Sequence, residues 1–333
     1  MVAESPASTD TRIMGPATLH ETNARSRMTT DTTTNRKPYR TILLVVGALV
    51  VGLVGRGLVT EGSDSILVRW LPWLNRTSIT LFYGDAGGDY LVPVSRAVSH
   101  DDSQPEFLVQ ALLDGPAPDA GLTSLIPDGT VADSVVLDEG TLRVDLSGTY
   151  QLGAFALTHE SLFQSMRSWP DVEEVEITVD GVPLEIESTG HLIYFYDERR
   201  DMLIARPTAL ERPGDVLAEY LAGPGDAQLT GLPSDIESIG VELGSNDLLT
   251  LEFTFRDSLR NYAIDHPDSV RRVLEGLIAT FTTGFPEIGG VLLDFEGHNA
   301  LGLGQCANLL NTAQYQPEVL NDERILSRYA GAS

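Results

Sequence analysis

The side chains that most often carry chemistry are sparse or scattered in this chain. Its six histidines, His20, His100, His159, His191, His266 and His298, stand singly. None has the spacing that would set two imidazoles on one face of a metal ion. Lys37 is the only lysine, so a phosphate loop ending in Gly-Lys-Ser or Gly-Lys-Thr is excluded. No Gly-x-Ser-x-Gly elbow presents a serine nucleophile. Gly302-Leu303-Gly304 lacks the third glycine and the βαβ setting of a dinucleotide loop. The single cysteine, Cys306, rules out an intramolecular disulfide and a cysteine-only metal cage, and reads as a packed thiol.

Carboxylates are the one abundant reactive group, and a facing pair could hydrolyse a glycosidic bond. Asp145 and Glu252 hold equivalent positions in two similar stretches. Each sits on an alternating strand, however, and alternation places both on the solvent face. Glu173-Glu174-Glu176 reads as a solvated edge, and Asp101-Asp102 as a helix start that favours negative charge. The turn Asp85-Ala86-Gly87-Gly88-Asp89 lacks the ligand spacing of a calcium loop. No residue is therefore assigned as catalytic, cofactor-binding or metal-binding, no cofactor is implied, and the chain does not read as an enzyme.

Charge narrows the partners. The chain carries 48 acidic and 22 basic residues, a formal charge of −26. Six of the basic residues (Arg12, Arg25, Arg27, Arg36, Lys37 and Arg40) fall in the first forty positions, so the rest is more acidic still. Such a surface repels phosphate backbones, which excludes nucleic acid as a partner.

The elements that position these residues come in two copies. Leu81-Phe82-Tyr83 matches Tyr194-Phe195-Tyr196, and the helix stop Gly115-Pro116 matches Gly223-Pro224. The strand Leu142–Leu146 matches Leu249–Phe253, Trp169-Pro170 matches Phe285-Pro286, and the turn after Val179 matches the turn after Phe295. The order is kept at offsets of about 110 residues, the size of an independent domain and too long for a solenoid unit. The copies share apolar positions, helix stops and turns, and share no polar triad, which suits binding or assembly better than a duplicated active site.

Each copy reads strand-strand-helix-strand-strand-helix-strand, an α+β pattern with a small mixed sheet and two helices on one face. In the first copy the expected helices are Gln104–Leu113, capped by Asp102 or Ser103, and Ala154–Ser168. In the second they are Val216–Leu221 and Ser269–Thr282. Tyr90–Val98 is a strand whose Pro93 implies a sheet edge or a bulge. Residues 78–186 are the first domain and 190–300 the second. Residues 301–333 form a tail with helix expected over Leu301–Leu310 and Glu318–Arg328.

Before the first domain, residues 1–40 are too polar to fold and read as a disordered cytoplasmic tail. Residues 41–59 are apolar apart from Arg56, which can snorkel, and follow the cluster Arg36-Lys37-Arg40. They read as one transmembrane helix or signal anchor, with the N-terminus cytoplasmic and the domains outside the membrane. A cleaved signal peptide is the rival reading, and it exports the same body. Residues 60–77 are a juxtamembrane linker, within which Ser65–Leu74 either lies on the outer leaflet or packs on the first domain.

The segments LFY with LVPVSR, then LVQALLDGP, LTSLIPDG, LRVDLSG and VEEVEITVDGVPL resemble the GerMN domain. The second copy is similar to it more loosely, with LIARP for VPVSR and FTFRDS in place of the VDLSG segment. The resemblance covers residues 79–300 as two tandem copies. It implies an extracytoplasmic, membrane-tethered module without known catalysis that takes part in envelope assemblies connected with sporulation or germination. The lipid-bearing cysteine usual in the family is absent, so a transmembrane helix would replace it. The expected partners are envelope proteins, or other copies of the chain. The alternatives are a sensory domain that recognises cell-wall fragments and, further off, a carboxylate-dependent hydrolase.

Overall fold

The computed structural model describes residues 77–98, 104–150, 156–184, 190–296 and 303–323, together with Leu326. The expected anchor at 41–59, the tail before it and the linker up to residue 76 lie outside these residues. Among the described residues no helix is long and apolar enough to cross a membrane.

The first half begins with a hairpin of β1 (Thr77–Asp85) and β2 (Leu91–Val98). Its turn is organised by the carboxylate of Asp85, which accepts from the backbone N–H groups of Asp89 at 2.8 Å and Tyr90 at 3.0 Å. Then come α1 (Pro105–Leu113), the short β3 (Leu122–Thr123) and the hairpin of β4 (Thr130–Asp138) with β5 (Thr141–Gly148). Glu139 and Gly140 both take positive φ in that hairpin's turn, as a two-residue turn matching strand twist requires. Helix α2 (Ala156–Arg167) carries the chain back so that β6 (Glu174–Val179) runs parallel to β5, and β7 (Val182–Pro183) folds against β6.

The second half repeats the plan. It contains β8 (His191–Asp197), β9 (Met202–Thr208), α3 (Pro213–Leu221), β10 (Leu229–Thr230), β11 (Ser238–Leu243) and β12 (Leu248–Phe253). Two helices, α4 (Asp257–Asp265) and α5 (Pro267–Gly284), precede β13 (Gly290–Phe295), which is parallel to β12. Helix α4 is absent from the sequence reading, and the Pro267 that starts α5 is what divides the two. Helices α1 and α3 end where Gly115 and Gly223 adopt positive φ, conformations that glycine takes without a Cβ clash.

The architecture is α+β, but the expected single mixed sheet per domain is not what forms. Each half splits its strands between two sheets. One is β4-β5-β6-β7 in the first half and β11-β12-β13 in the second. The two leading hairpins instead join across the halves in a six-stranded sheet, ordered β10-β8-β9-β2-β1-β3. The physical reason is burial on both faces. Leu81 and Tyr83 enter one core while Phe82, between them, enters another, and Phe195 and Tyr194 divide in the same way. Strands buried on both sides read as continuous apolar runs, which is the pattern of LFY and YFY. The helices pack between the two sheets rather than covering one face of one sheet.

Outer strand edges are closed by hydroxyls. β3 covers only Gly84 and Asp85 of β1. Farther along, Ser165 Oγ accepts from the Phe82 N–H at 2.9 Å, and Ser161 donates to the Phe82 carbonyl at 2.5 Å. Ser168 accepts from the Thr80 N–H at 3.2 Å and lies 2.7 Å from its carbonyl. The equivalent edge of β8 meets α5, where Thr280 Oγ1 accepts from the Tyr194 N–H at 3.0 Å. Gly276 permits that approach, since a Cβ there would stand 3.0 Å from the Tyr194 carbonyl oxygen.

The seam between the halves is the least regular part. β2 and β9 pair only at Leu91 and Ala205. Beyond that point Asn321, 3% exposed, enters from the C-terminal segment. Its Nδ2 donates to the carbonyls of Pro93 at 2.7 Å and Leu203 at 2.9 Å. Its Oδ1 accepts from the Leu203 N–H at 2.8 Å and from Arg272 at 2.9 Å. Ser95 donates to the Asn321 carbonyl at 2.8 Å, and Arg96 pairs with Glu323 at 2.7 Å. Pro93 therefore marks neither an outer edge nor a bulge. Its strand is interior, and its missing N–H faces a gap that a side-chain amide fills.

The tail forms the expected pair of helices only in part: Glu323 and Leu326 are helical within the expected Glu318–Arg328, but residues 318–322 are not. Gly304–Leu309 forms a short 3-10 turn, and bridges at Leu310, Gln314 and Asp322 tie the following chain to β13 and β2. The chain between Leu310 and Asp322 is paired outward to β13 and β2, and helical bonding resumes only where the Leu326 N–H donates to the Asp322 carbonyl at 3.1 Å. The proposed caps Asp102 and Ser103 lie outside the described residues, and α1 starts at Pro105 without a side-chain cap.

Replacing Asn321 with Ala removes four hydrogen bonds and leaves two carbonyls and an N–H in a buried seam. The expected cost is about 3 kcal/mol of unfolding free energy, read from the urea midpoint. A loss below about 0.5 kcal/mol, the scale of a neutral surface change, would show that the seam does not need the amide.

Candidate functional site

A cleft of about 670 Å³ lies between the halves, within the range of small-ligand sites. Three distant parts of the chain build it. Strand β1 contributes Phe82, and the end of α2 contributes Gln164, Arg167 and, just beyond, Trp169. The second half supplies Tyr194 and Thr283, and the tail supplies Gln316 and Leu320. The serine stripe of α2 sets this geometry by holding the helix against β1, so Gln164 and Arg167 emerge beside the strand.

The polar groups of the cleft are distinct in state. Gln164 donates to Glu160 at 2.7 Å, and both side chains are buried. Burial raises the Tyr194 hydroxyl above its ordinary range, and its partner Thr283 lies at 3.3 Å. Arg167 forms no ion pair among the described residues, and its nearest acceptor is the Gly190 carbonyl at 3.5 Å. The cleft thus offers aromatic walls, two side-chain amides, one cation and, at its exposed side, the carboxylate of Glu173. Among the described residues that line it, the hydroxyls of Ser168 and Thr283 donate to backbone carbonyls rather than to a base.

The carboxylates weighed from the sequence are engaged elsewhere. Asp145 accepts from Thr178 and from the Gly181 N–H, and these bonds hold its carboxyl below the usual range. Glu252 lies in the other half's sheet, exposed beside Gly240. Glu176 pairs with Arg143 at 2.8 Å. Asp85 is bound to its own turn and lies 3.4 Å from Arg200, which also reaches Asp197 at 3.6 Å. Asp85 and Asp197 end the first strands of the two copies, so one guanidinium ties the two hairpin turns together. Asp101 and Asp102 lie outside the described residues.

The histidines are equally separate. The His191 ring lies 2.8 Å from the Gly284 carbonyl and stacks on Phe285 at 4.2 Å. His266 sits between α4 and α5, 3.5 Å from Glu198. His159 stacks beside Tyr150, and burial lowers its pKa. His20, His100 and His298 lie outside the described residues. Among the described residues, no three of His, Cys, Asp and Glu are grouped to hold a metal ion.

The sequence reading missed the cleft altogether. Its residues span more than two hundred positions, and the only local signal was the clustering of Gln164, Arg167 and Trp169 at the end of one helix.

With that geometry in view, comparisons with known proteins place the chain. A family model described as Germane, sporulation and spore germination, matches residues 80–185. The tandem GerMN domains of the sporulation protein GerM from Bacillus subtilis superpose with a TM-score of 0.54 at 16% identity, over 74% of this chain and 99% of that one. The first GerMN domain of the same protein matches 33% of this chain and 89% of its own length, at 19% identity and a TM-score of 0.28. No curated protein matches by sequence. Residues 80–185 match that family model, and the described chain has the fold of tandem GerMN domains.

Cys306 is buried, and burial pushes its thiol up to about 11. Alkylation of the native protein at pH 8 is expected to run on the order of a hundredfold slower than for an ordinary thiol, with full rate restored in denaturant. Rapid native labelling would place Cys306 at the surface.

Proposed function

We propose that the protein is a membrane-anchored, extracytoplasmic assembly module of the cell envelope, connected with sporulation or germination, that works by binding rather than catalysis. The observation that carries this reading is a pair of equivalent open strand edges. Among the described residues, β4 and β11 each pair on one side only. β4 exposes Val131 and Val136, each 51% accessible, and β11 exposes Ile239 and Leu243. An unpaired edge bearing apolar side chains is a template for adding a partner strand. Both edges are bulged, at Ala132/Ser134 and Ser238/Gly240, and both carry acidic side chains, Asp133 and Asp138 on one and Glu242 on the other. Those charges disfavour a second copy and favour a partner strand carrying Lys or Arg.

The anchor reading is supported by the apolar run at 41–59 behind Arg36, Lys37 and Arg40. The binding reading is supported by the engagement of Asp145 with its own sheet, which takes one member away from the carboxylate pair a hydrolase would use.

Two measurements test this. Crosslinking of the full-length protein in its native membrane should return repeated links from residues 79–300 to other envelope proteins, and Val131→Lys/Val136→Lys should weaken them severalfold without lowering Tm by more than a few degrees. A monomer without protein neighbours would overturn the assembly reading. Carbonate extraction should leave the protein in the membrane fraction, and release into the supernatant would overturn the anchor.

A further inference from the structure

The cleft between the halves holds a half-buried arginine with no carboxylate partner among the described residues, whereas the other such arginine, Arg256, is exposed to solvent. Arg96, Arg143, Arg206, Arg260 and Arg272 each pair with a carboxylate at 3.0 Å or less. Arg167, which lines the cleft, pairs with none among the described residues. A cation in the last turn of a helix is favoured by the helix dipole, and this accounts for its presence at that position. It does not account for a guanidinium left without a carboxylate in a protein of 48 acidic residues.

The remaining walls define what would complement it. Gln164 is 8% exposed and uses its amide nitrogen on Glu160, while its Oε1 has no hydrogen-bond partner among the described residues. Gln316 lines the same space with its amide uncommitted among those residues. Phe82 and Trp169, nearly buried, and Leu320 supply apolar surface. A ligand that satisfies this set carries one carboxylate, amide groups and an apolar side chain. A neutral sugar would leave Arg167 unanswered. A phosphate would call for several donors, whereas the second charged residue in the lining is the exposed Glu173.

We propose that this cleft binds a short apolar peptide through its free C-terminal carboxylate, with Arg167 on the carboxylate, Gln164 and Gln316 on the peptide groups, and Phe82 and Trp169 on the side chain. The same chemistry is presented by a free peptide or by the C-terminal end of a partner chain. This inference stands apart from the assembly reading: it involves neither β4 nor β11, so failure of either leaves the other intact.

The test is calorimetric titration of the full-length protein with N-acetyl-Ala-Ala-Phe and with its C-terminal carboxamide. The acid should bind about ten- to a hundredfold more tightly, the scale of one charge-assisted pair. Arg167→Gln should weaken the acid to the level of the amide, so the two then bind equally. Arg167→Lys should keep part of the preference, which separates a charge role from a folding defect, and thermal melts of both variants check the fold. Equal affinity of acid and amide for the wild-type chain, no binding at millimolar peptide, or an acid preference that survives Arg167→Gln would each overturn the proposal. Presenting the same tripeptide at the C-terminus of a small carrier protein assigns the source. Affinity retained on the carrier points to a partner terminus, affinity lost there points to a free peptide, and both outcomes support the chemistry.

Discussion

A proline in the middle of a sheet creates the constraint around which this molecule is arranged. β2 must pair with β9 if the two halves are to share a sheet, yet Pro93 has no N–H to contribute. In an antiparallel strand a residue's N–H and C=O point the same way, and the Pro93 carbonyl points at the seam. Regular pairing would therefore leave Leu203 without its full set of partners in a dry interior. A carboxamide is the side-chain group closest to a peptide, with donors and an acceptor in one plane. Asn321 supplies it, and Arg272 holds it in place.

A second layer of the same logic operates at the outer edges. Helix α2 turns a polar face inward: Ser161, Ser165 and the adjoining Ser168 read as misplaced until the peptide groups of Phe82 and Thr80 are counted. Hydroxyls on a helix thus stand in for a missing neighbouring strand, and Thr280 on α5 does so for β8. Because those edges are closed, β4 and β11, on the other sheets, are left as open edges among the described residues.

How much of this was legible depended on the distance over which each feature is decided. The duplication, the helix stops at Gly115 and Gly223 and the hairpin turn at Glu139-Gly140 are local, and local chemistry decides them. The division of each copy into two sheets was not legible, because a run such as LFY states that both faces are buried without naming the neighbours. Pro93 gave a true signal about a missing donor, but its partner lies 228 residues away. Helix α4 was lost because its apolar positions are few, with only Leu259 and Ala263 buried. The cleft was illegible for the same reason as the seam, since both are made by the return of the tail.

That return has a bearing on how the protein reaches its final form. Each hairpin can fold as soon as its own strands exist, and the first half has its β5-β6 pairing by residue 179. The joint between the halves has to wait for residue 321 to be synthesised and, if the body is exported, delivered. Apart from Asn321, the ladder pairing between β2 and β9 among the described residues is the single register Leu91 with Ala205. The tail thus acts as a completeness check: a product cut short before Asn321 lacks the amide that fills the seam, leaving the Pro93 and Leu203 backbone groups open to water, proteases and stray strands.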